Sequence, residues 1–308
     1  MKKSAIIVVA GLIFPFVIGC NNGNVSEPEP VYHYRIENGP NKTIYLTNQN
    51  FDPTGIRVTR TREGCDCIDL YDEVEVLDGE NLQLGTEQVT IKVEDFTAKI
   101  DIEVKETYKV VCCGDSLTKG HYWQNEAYPN YINDYANHTF NVVNCGENGI
   151  SITGYGGSWN DPAKRYQLSE FYRNSLDADP DVVLLFLGTN DATGWADAEP
   201  LFEDQYRELI DAYINQIGDE VKFIMVVSPP TEDGNQFGIP NDKIRDYVNP
   251  IQRQLAEDYG MELIDLREQF ESRDGGFADF IRPGDGVHLS KLGAQYVAEQ
   301  IANVLEMI

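Results

Sequence analysis

Ser116, Asn190, Asp285 and His288 are residue types that together can carry out acyl transfer if a fold brings them to one place. A serine hydroxyl is a weak nucleophile until a neighbouring base takes its proton. His288 is the histidine best set to be that base, because Asp285 lies three residues before it. If the segment curls as a single turn, the carboxylate meets the imidazole, fixes its tautomer and stabilises the imidazolium. His33 and His138 stand in polar surroundings and are expected to be solvated. His121 is close to Ser116 in sequence, but nothing there orients it.

An attacked ester carbonyl becomes an oxyanion, and donors aimed at it contribute several kcal/mol to the rate. Three donors can be named: the backbone N–H of Ser116, a backbone N–H in Asn144-Cys145-Gly146-Glu147-Asn148-Gly149, and the side-chain amide of Asn190 in Gly188-Thr189-Asn190-Asp191. Both Gly146 and Gly149 follow a predicted strand. Taken singly, each block also fits a bland role. Gly114-Asp115-Ser116 could be a capped strand-to-helix turn, and Gly284-Asp285-Gly286 an ordinary turn. It is the four together, in order, that point to chemistry.

The elements that must position these blocks are legible from periodicity. From Tyr108 onward strands alternate with helices, the strand candidates being residues 109–113, 140–143, 182–187, 221–227 and 261–264. The third is a near-continuous apolar run, as expected of a strand buried on both faces. Helical spacing joins Phe202, Tyr206, Leu209, Ile210, Tyr213, Ile214 and Ile217. It also joins Leu289, Leu292, Tyr296, Val297, Ile301, Val304 and Leu305. Alternation of this kind implies a parallel sheet covered on both faces, with ligands beyond the carboxyl ends of its strands. Three of the four blocks directly follow a predicted strand.

Residues 32–106 have a different grammar. Short alternating runs at 43–46, 56–59, 74–76, 89–93 and 98–104 are separated by turn residues, which suggests a β-sandwich. The stretch 84–102 resembles bacterial Ig-like repeats, and no titratable cluster with catalytic spacing occurs there. A spacer or binding module is expected.

At the N-terminus Lys2 and Lys3 precede an apolar run, residues 5–18, of signal-peptide length and too short to span a bilayer comfortably. It closes on Val17-Ile18-Gly19-Cys20, which resembles the lipobox of bacterial lipoproteins. The resemblance implies a signal segment at 1–19, a lipid on Cys20 and a flexible tether over 20–31. Five further cysteines, an odd number, cannot all pair within one chain, and no disulfide framework is read from them. Cys65 and Cys67 make a lone C-x-C, a weak metal signal. The net charge is −27, and without Lys2 and Lys3 it is −29, with 22 basic against 51 acidic residues. Such a surface repels phosphate backbones, so nucleic acid is not an expected partner.

Residues 107–308 resemble the SGNH or GDSL hydrolases, a family named for these blocks: Ser116 in the first, Gly149 in the second, Asn190 in the third, His288 with Asp285 in the last. Gly149 is preferred to Gly146 because it lies five residues after Asn144, as the family pattern favours. The resemblance implies a flavodoxin-like three-layer α/β/α domain with a five-stranded parallel sheet. It also implies a Ser-His-Asp esterase mechanism with no metal or other cofactor. Tyr122, Trp123, Tyr155, Trp159 and Trp195 each follow a block and are expected to rim the crevice, where flat rings suit sugar faces or an acyl chain. Lipid anchoring and a spacer module fit O-deacetylation of a carbohydrate at a cell surface. The alternatives are a lysophospholipase, thioesterase or acyltransferase on the same residues, and, more distantly, a glycan-binding lipoprotein without turnover.

Overall fold

The computed structural model describes residues 30–120, 126–157, 159–218, 220–274 and 276–308. They form two compact units, the first ending at Glu106 and the second beginning at Thr107. No helix among the described residues is long and apolar enough to cross a membrane.

The first unit is built of short strands. β1 (Tyr32–Asn38), β2 (Ile44–Leu46), β3 (Arg57–Arg62), β4 (Ile68–Tyr71), β5 (Glu75–Val76), β6 (Gln88–Val93), β7 (Phe96–Asp101) and β8 (Glu103–Lys105) follow in chain order. Two antiparallel sheets, β1-β3-β4 and β5-β6-β7, are accompanied by a separate parallel pair, β2-β8. Period-two alternation sends Val89, Ile91 and Val93 of β6 inward. There they share one core with Ile36, Tyr45, Val58, Ile100 and Val104. The run 98–104, expected as one strand, is two. At Ile102 the chain changes partners: its N–H donates to Glu87 O at 2.9 Å, and the next N–H donates to Thr43 O at 2.9 Å. The Cys65 and Cys67 side chains, expected to belong to no disulfide pattern, are bonded to each other.

The second unit has one parallel sheet. β9 (Lys109–Gly114) and β10 (Asn141–Gly146) come first, then a hairpin of β11 (Tyr155–Gly156) and β12 (Trp159–Asn160), then β13 (Val182–Phe186), β14 (Lys222–Val227) and β15 (Glu262–Asp265). The five parallel strands lie in the order β10-β9-β13-β14-β15. Every residue of β13 is buried, which its unbroken Val-Val-Leu-Leu-Phe composition requires at the centre of a covered sheet. Val111, Cys113, Val183, Leu185 and Met225 face a core that includes Phe202, Tyr206, Leu209, Ile210 and Tyr213 of the helix Phe202–Ile217. Residues between them in the strands, such as Val110, Cys112, Leu184 and Ile224, are equally buried on the opposite face. The result is a three-layer α/β/α domain of flavodoxin-like strand order.

The last helix, Lys291–Met307, is capped by Ser290, whose hydroxyl oxygen accepts the Gly293 N–H at 3.1 Å. It buries Val297, Ile301, Val304 and Leu305 as its spacing predicts. Leu292 is a correction: it is 52% exposed. Its place on the apolar stripe is taken by Gly293 and Ala294, because the Gly293 Cα faces the Phe280 carbonyl and leaves no room for a side chain. His138, expected to be solvated, is half-buried, with Nδ1 2.6 Å from Glu306 Oε2 on this helix.

Candidate active site

Ser116 opens the short helix Ser116–Lys119 directly after β9. Asp115 caps that helix, its Oδ1 accepting the Leu117 N–H at 2.9 Å. Gly114 permits the turn, since a Cβ there would lie 2.0 Å from Thr118 Oγ1 and 2.9 Å from Phe186 O. The nucleophile candidate is thus held between its own helix and the neighbouring strand, β13.

The candidate base and its carboxylate come from one turn just before the last helix. Arg282 O accepts the N–H groups of Asp285 and Gly286 at 3.2 and 3.3 Å, and Arg282 N–H donates to His288 O at 2.7 Å. Asp285 Oδ1 accepts the N–H groups of Val287 and His288, both at 2.9 Å. Its other oxygen lies 2.8 Å from His288 Nδ1. An ionised carboxylate can only accept, so Nδ1 carries the proton and Nε2 is left as an acceptor. Nε2 stands 2.8 Å from Ser116 Oγ. Burial pushes the Asp285 carboxyl up, but the His288 N–H, the imidazole and the Val287 N–H outweigh it and hold the group below its ordinary value. All three side chains are nearly closed to solvent.

Asn190 begins the turn Asn190–Gly194 beyond β13. Its amide Nδ2 donates to Ile150 O at 2.9 Å and to Asp115 Oδ2 at 3.3 Å. The next residue, Asp191, accepts the N–H groups of Ile152 and Thr153 at 3.0 Å and the Thr153 hydroxyl at 2.7 Å. The loops after β9, β10 and β13 are therefore knitted by two buried aspartates. Burial pushes Asp115 up to about 7, opposed by the Leu117 N–H and assisted by the nearby Asp191 charge. Burial likewise pushes Asp191 up to about 6, against the hydrogen bonds from Thr153 and Ile152.

These groups open on one crevice, lined by Ser116, Asn148, Gly149, Gly157, Asn190, Phe237, Ile239 and His288. Among the described residues neither the Ser116 N–H nor the Gly149 N–H donates to a protein acceptor. Gly146 does not reach the crevice. It ends β10, bonded to Asn144 Oδ1 and packed against the Lys119 backbone. Gly157 crosses directly over Asn190, where a Cβ would meet Gly149 O at 2.5 Å and Asn190 Cβ at 2.9 Å.

Two of the five aromatic residues expected at the rim, Trp195 and Tyr155, lie elsewhere. Trp195 is 6% exposed and sits in the core, its ring 5.6 Å from Phe202 and 5.4 Å from Tyr247. Tyr155, half-buried, packs against that same core. Both rings fill space beneath the loops instead of lining the crevice. Tyr122, Trp123 and Cys20 lie outside the described residues, and of Trp159 only the backbone in β12 is described. Sequence reasoning missed Phe237, Ile239 and Asn148. Phe237 and Ile239 lie in the loop after β14, which the strand-end rule does mark, but nothing in the sequence singles them out within it. No group of three His, Cys, Asp or Glu side chains among the described residues could hold a metal ion.

Fold and site together place Ser116, His288 and Asp285, residue types suited to acyl transfer, at the strand ends of an α/β/α domain. The chain belongs to the GDSL-like lipase/acylhydrolase family, whose profile matches residues 112–296. It is similar to an acetylxylan esterase of Xylanibacter ruminicola, with 23% identity over 240 residues, or 71% of this chain and 48% of that one. The chain thus spans about half the length of that relative. An uncharacterized lipoprotein of Bacillus subtilis, YqeF, is 27% identical over 220 residues, 62% of this chain and 87% of that one. Among solved structures, a carbohydrate acetylesterase from Sinorhizobium meliloti shares the fold with a TM-score of 0.50 at 19% identity, covering 65% of this chain and 99% of that one.

Proposed function

We propose that the protein removes O-acetyl groups from a carbohydrate, with Ser116 as nucleophile, His288 as general base and then acid, and Asp285 orienting the imidazole. The observation that carries this reading is the continuous series Ser116 Oγ, His288 Nε2, His288 Nδ1 and Asp285 Oδ2, with both contacts at 2.8 Å. His288 takes the Ser116 proton as Oγ attacks the acetyl carbon, and the negative charge collects on the former carbonyl oxygen. The N–H groups of Ser116 and Gly149 and the Asn190 amide stabilise that charge. The Asn190 bond to Ile150 O fixes the amide plane. The longer bond to Asp115 is the one the oxyanion displaces. Collapse expels the alcohol with a proton from His288, and a water activated by the same imidazole then frees the acetate.

The acetyl preference is supported by the similarity to an acetylxylan esterase. Placement at a cell surface, with a lipid on Cys20 and an Ig-like spacer in residues 32–106, is part of the same proposal. It is supported by the lipobox-like Val17-Ile18-Gly19-Cys20 and by the similarity to a lipoprotein. Replacing Cys20 by Ala should then release the protein from the membrane fraction.

The test is hydrolysis of p-nitrophenyl esters from acetyl to decanoyl by residues 21–308, beside Ser116→Ala. Ser116-dependent activity confined to short acyl groups is expected. Activity that rises with chain length would replace the carbohydrate by a lipid substrate.

A further inference from the structure

The crevice has two unlike walls. Asn148, Gly149, Gly157 and Asn190 line the side where the oxyanion would lie, whereas Phe237 and Ile239 line the side of His288. The Phe237 ring stands at 84° to the imidazole with ring centroids 4.8 Å apart, and it is only partly buried. The loop that carries it is held firmly. Asn235 Oδ1 accepts the N–H groups of Phe237 and Ile239 at 3.2 and 3.1 Å, and its Nδ2 donates to Glu232 O at 2.9 Å and Ile239 O at 2.7 Å. The same loop is tied to the Asp285–His288 turn, the Glu232 N–H donating to Gly286 O at 2.8 Å and the Gln236 N–H to Asp285 O at 3.4 Å. Phe237 is therefore presented in a fixed position relative to the base.

We propose that Phe237 seats the alcohol half of the ester and selects ring-shaped alcohols, such as a pyranose, over small acyclic ones. The inference rests on the roles given above to Ser116 and His288. In the first half-reaction the acyl carbon bonds to Ser116 Oγ, the ester C–O bond breaks, and the proton held on His288 Nε2 passes to the alcohol oxygen. For that transfer the oxygen must come within about 3 Å of Nε2. The carbons attached to it then fall within contact distance of a ring lying against the imidazole. The acyl group faces the glycine-lined wall, so the two halves of the substrate meet different chemistry. A fixed apolar ring favours an alcohol that presents a broad face of C–H bonds and gains little from ethanol.

A ring that merely held the imidazole in place would affect every ester alike, which separates the two roles experimentally. The full-length wild type, Phe237→Ala and Phe237→Trp are assayed on ethyl acetate, cyclohexyl acetate and a mono-O-acetyl methyl xyloside, and on the decanoyl esters of the same alcohols. The wild type should prefer the ring alcohols. In Phe237→Ala that preference should fall by about tenfold or more, as expected for loss of an apolar pocket contact, and through KM. Whatever Phe237→Ala loses on ethyl acetate, the ring alcohols should lose about tenfold more, and Phe237→Trp should keep the preference. Equal loss on all alcohols, or no preference in the wild type, would overturn the proposal. A wild type that hydrolyses decanoyl esters better than acetyl esters would instead sink the deacetylase reading, and the alcohol ratios within the decanoyl series would still decide the role of Phe237.

Discussion

The carboxylate of Asp115 and the amide of Asn190 meet at 3.3 Å across the strand ends of β9 and β13, so the residue beside the candidate nucleophile holds the candidate oxyanion donor. Asp115 is fully buried and is pushed up to about 7 from an ordinary 3.8. A group whose pKa is raised on folding binds its proton more tightly in the folded chain. Its contribution to stability is therefore complete below about pH 4 and is lost as pH rises through about 7. Urea unfolding at pH 5 and pH 8 should show the wild type losing stability relative to Asp115→Asn as pH rises. A pH-independent difference between the two proteins would contradict the shift.

Ser116→Ala and His288→Ala should each lower kcat by about 10⁴-fold or more, as in other hydrolases whose residues act as a unit. Their urea midpoints should stay near the wild-type value. Asp285→Asn keeps the shape but can no longer fix the imidazole tautomer, and a fall of about 10³- to 10⁴-fold is expected. Steady-state kinetics on p-nitrophenyl acetate would reveal an uninvolved residue by near-normal turnover.

Removal of one oxyanion donor typically lowers kcat by about 10²- to 10³-fold. Asn190→Ala should do so with little change in KM, because the amide acts on charge that exists only in the transition state. An unchanged kcat would remove Asn190 from that role.

Gly157→Ala provides a test of how closely the β11–β12 hairpin is fitted over Asn190. Its Cβ would press on Gly149 O and Asn190 Cβ, whereas a Cβ at Gly284, also of positive φ, meets nothing within 4 Å. Both substitutions should cost about 1 kcal/mol of stability from the backbone conformation alone. Only Gly157→Ala should also depress kcat. If the two variants were equally active, the hairpin would have no influence on Asn190.

Much of this site was legible because its residues are fixed by local rules. Gly114, Asp115 and Ser116 obey strand-to-helix turn chemistry, and Asp285 reaches His288 within a single turn, which spacing alone suggests. The buried strand β13 announces itself by composition. Trp195 and Phe237 were not legible, for a common reason. Both lie in loops beyond strand ends, and whether such a ring turns into the core or toward the crevice depends on what packs against it. For Trp195 the partners are Phe202 and Tyr247, and for Phe237 the imidazole itself. Those contacts are set by tertiary structure, which residue type and spacing do not encode.

Asp285 and His288 are joined three residues apart, while Ser116 lies 172 residues from His288. In conformational-entropy terms, the acid and base are brought together by closing a loop of a few residues, at small cost. Only one long closure, between Ser116 and His288, has to be achieved by the folded sheet. Small movements of the final turn thus carry acid and base together as one body. Among these three side chains, the distance left to long-range packing is the one between Nε2 and the serine oxygen.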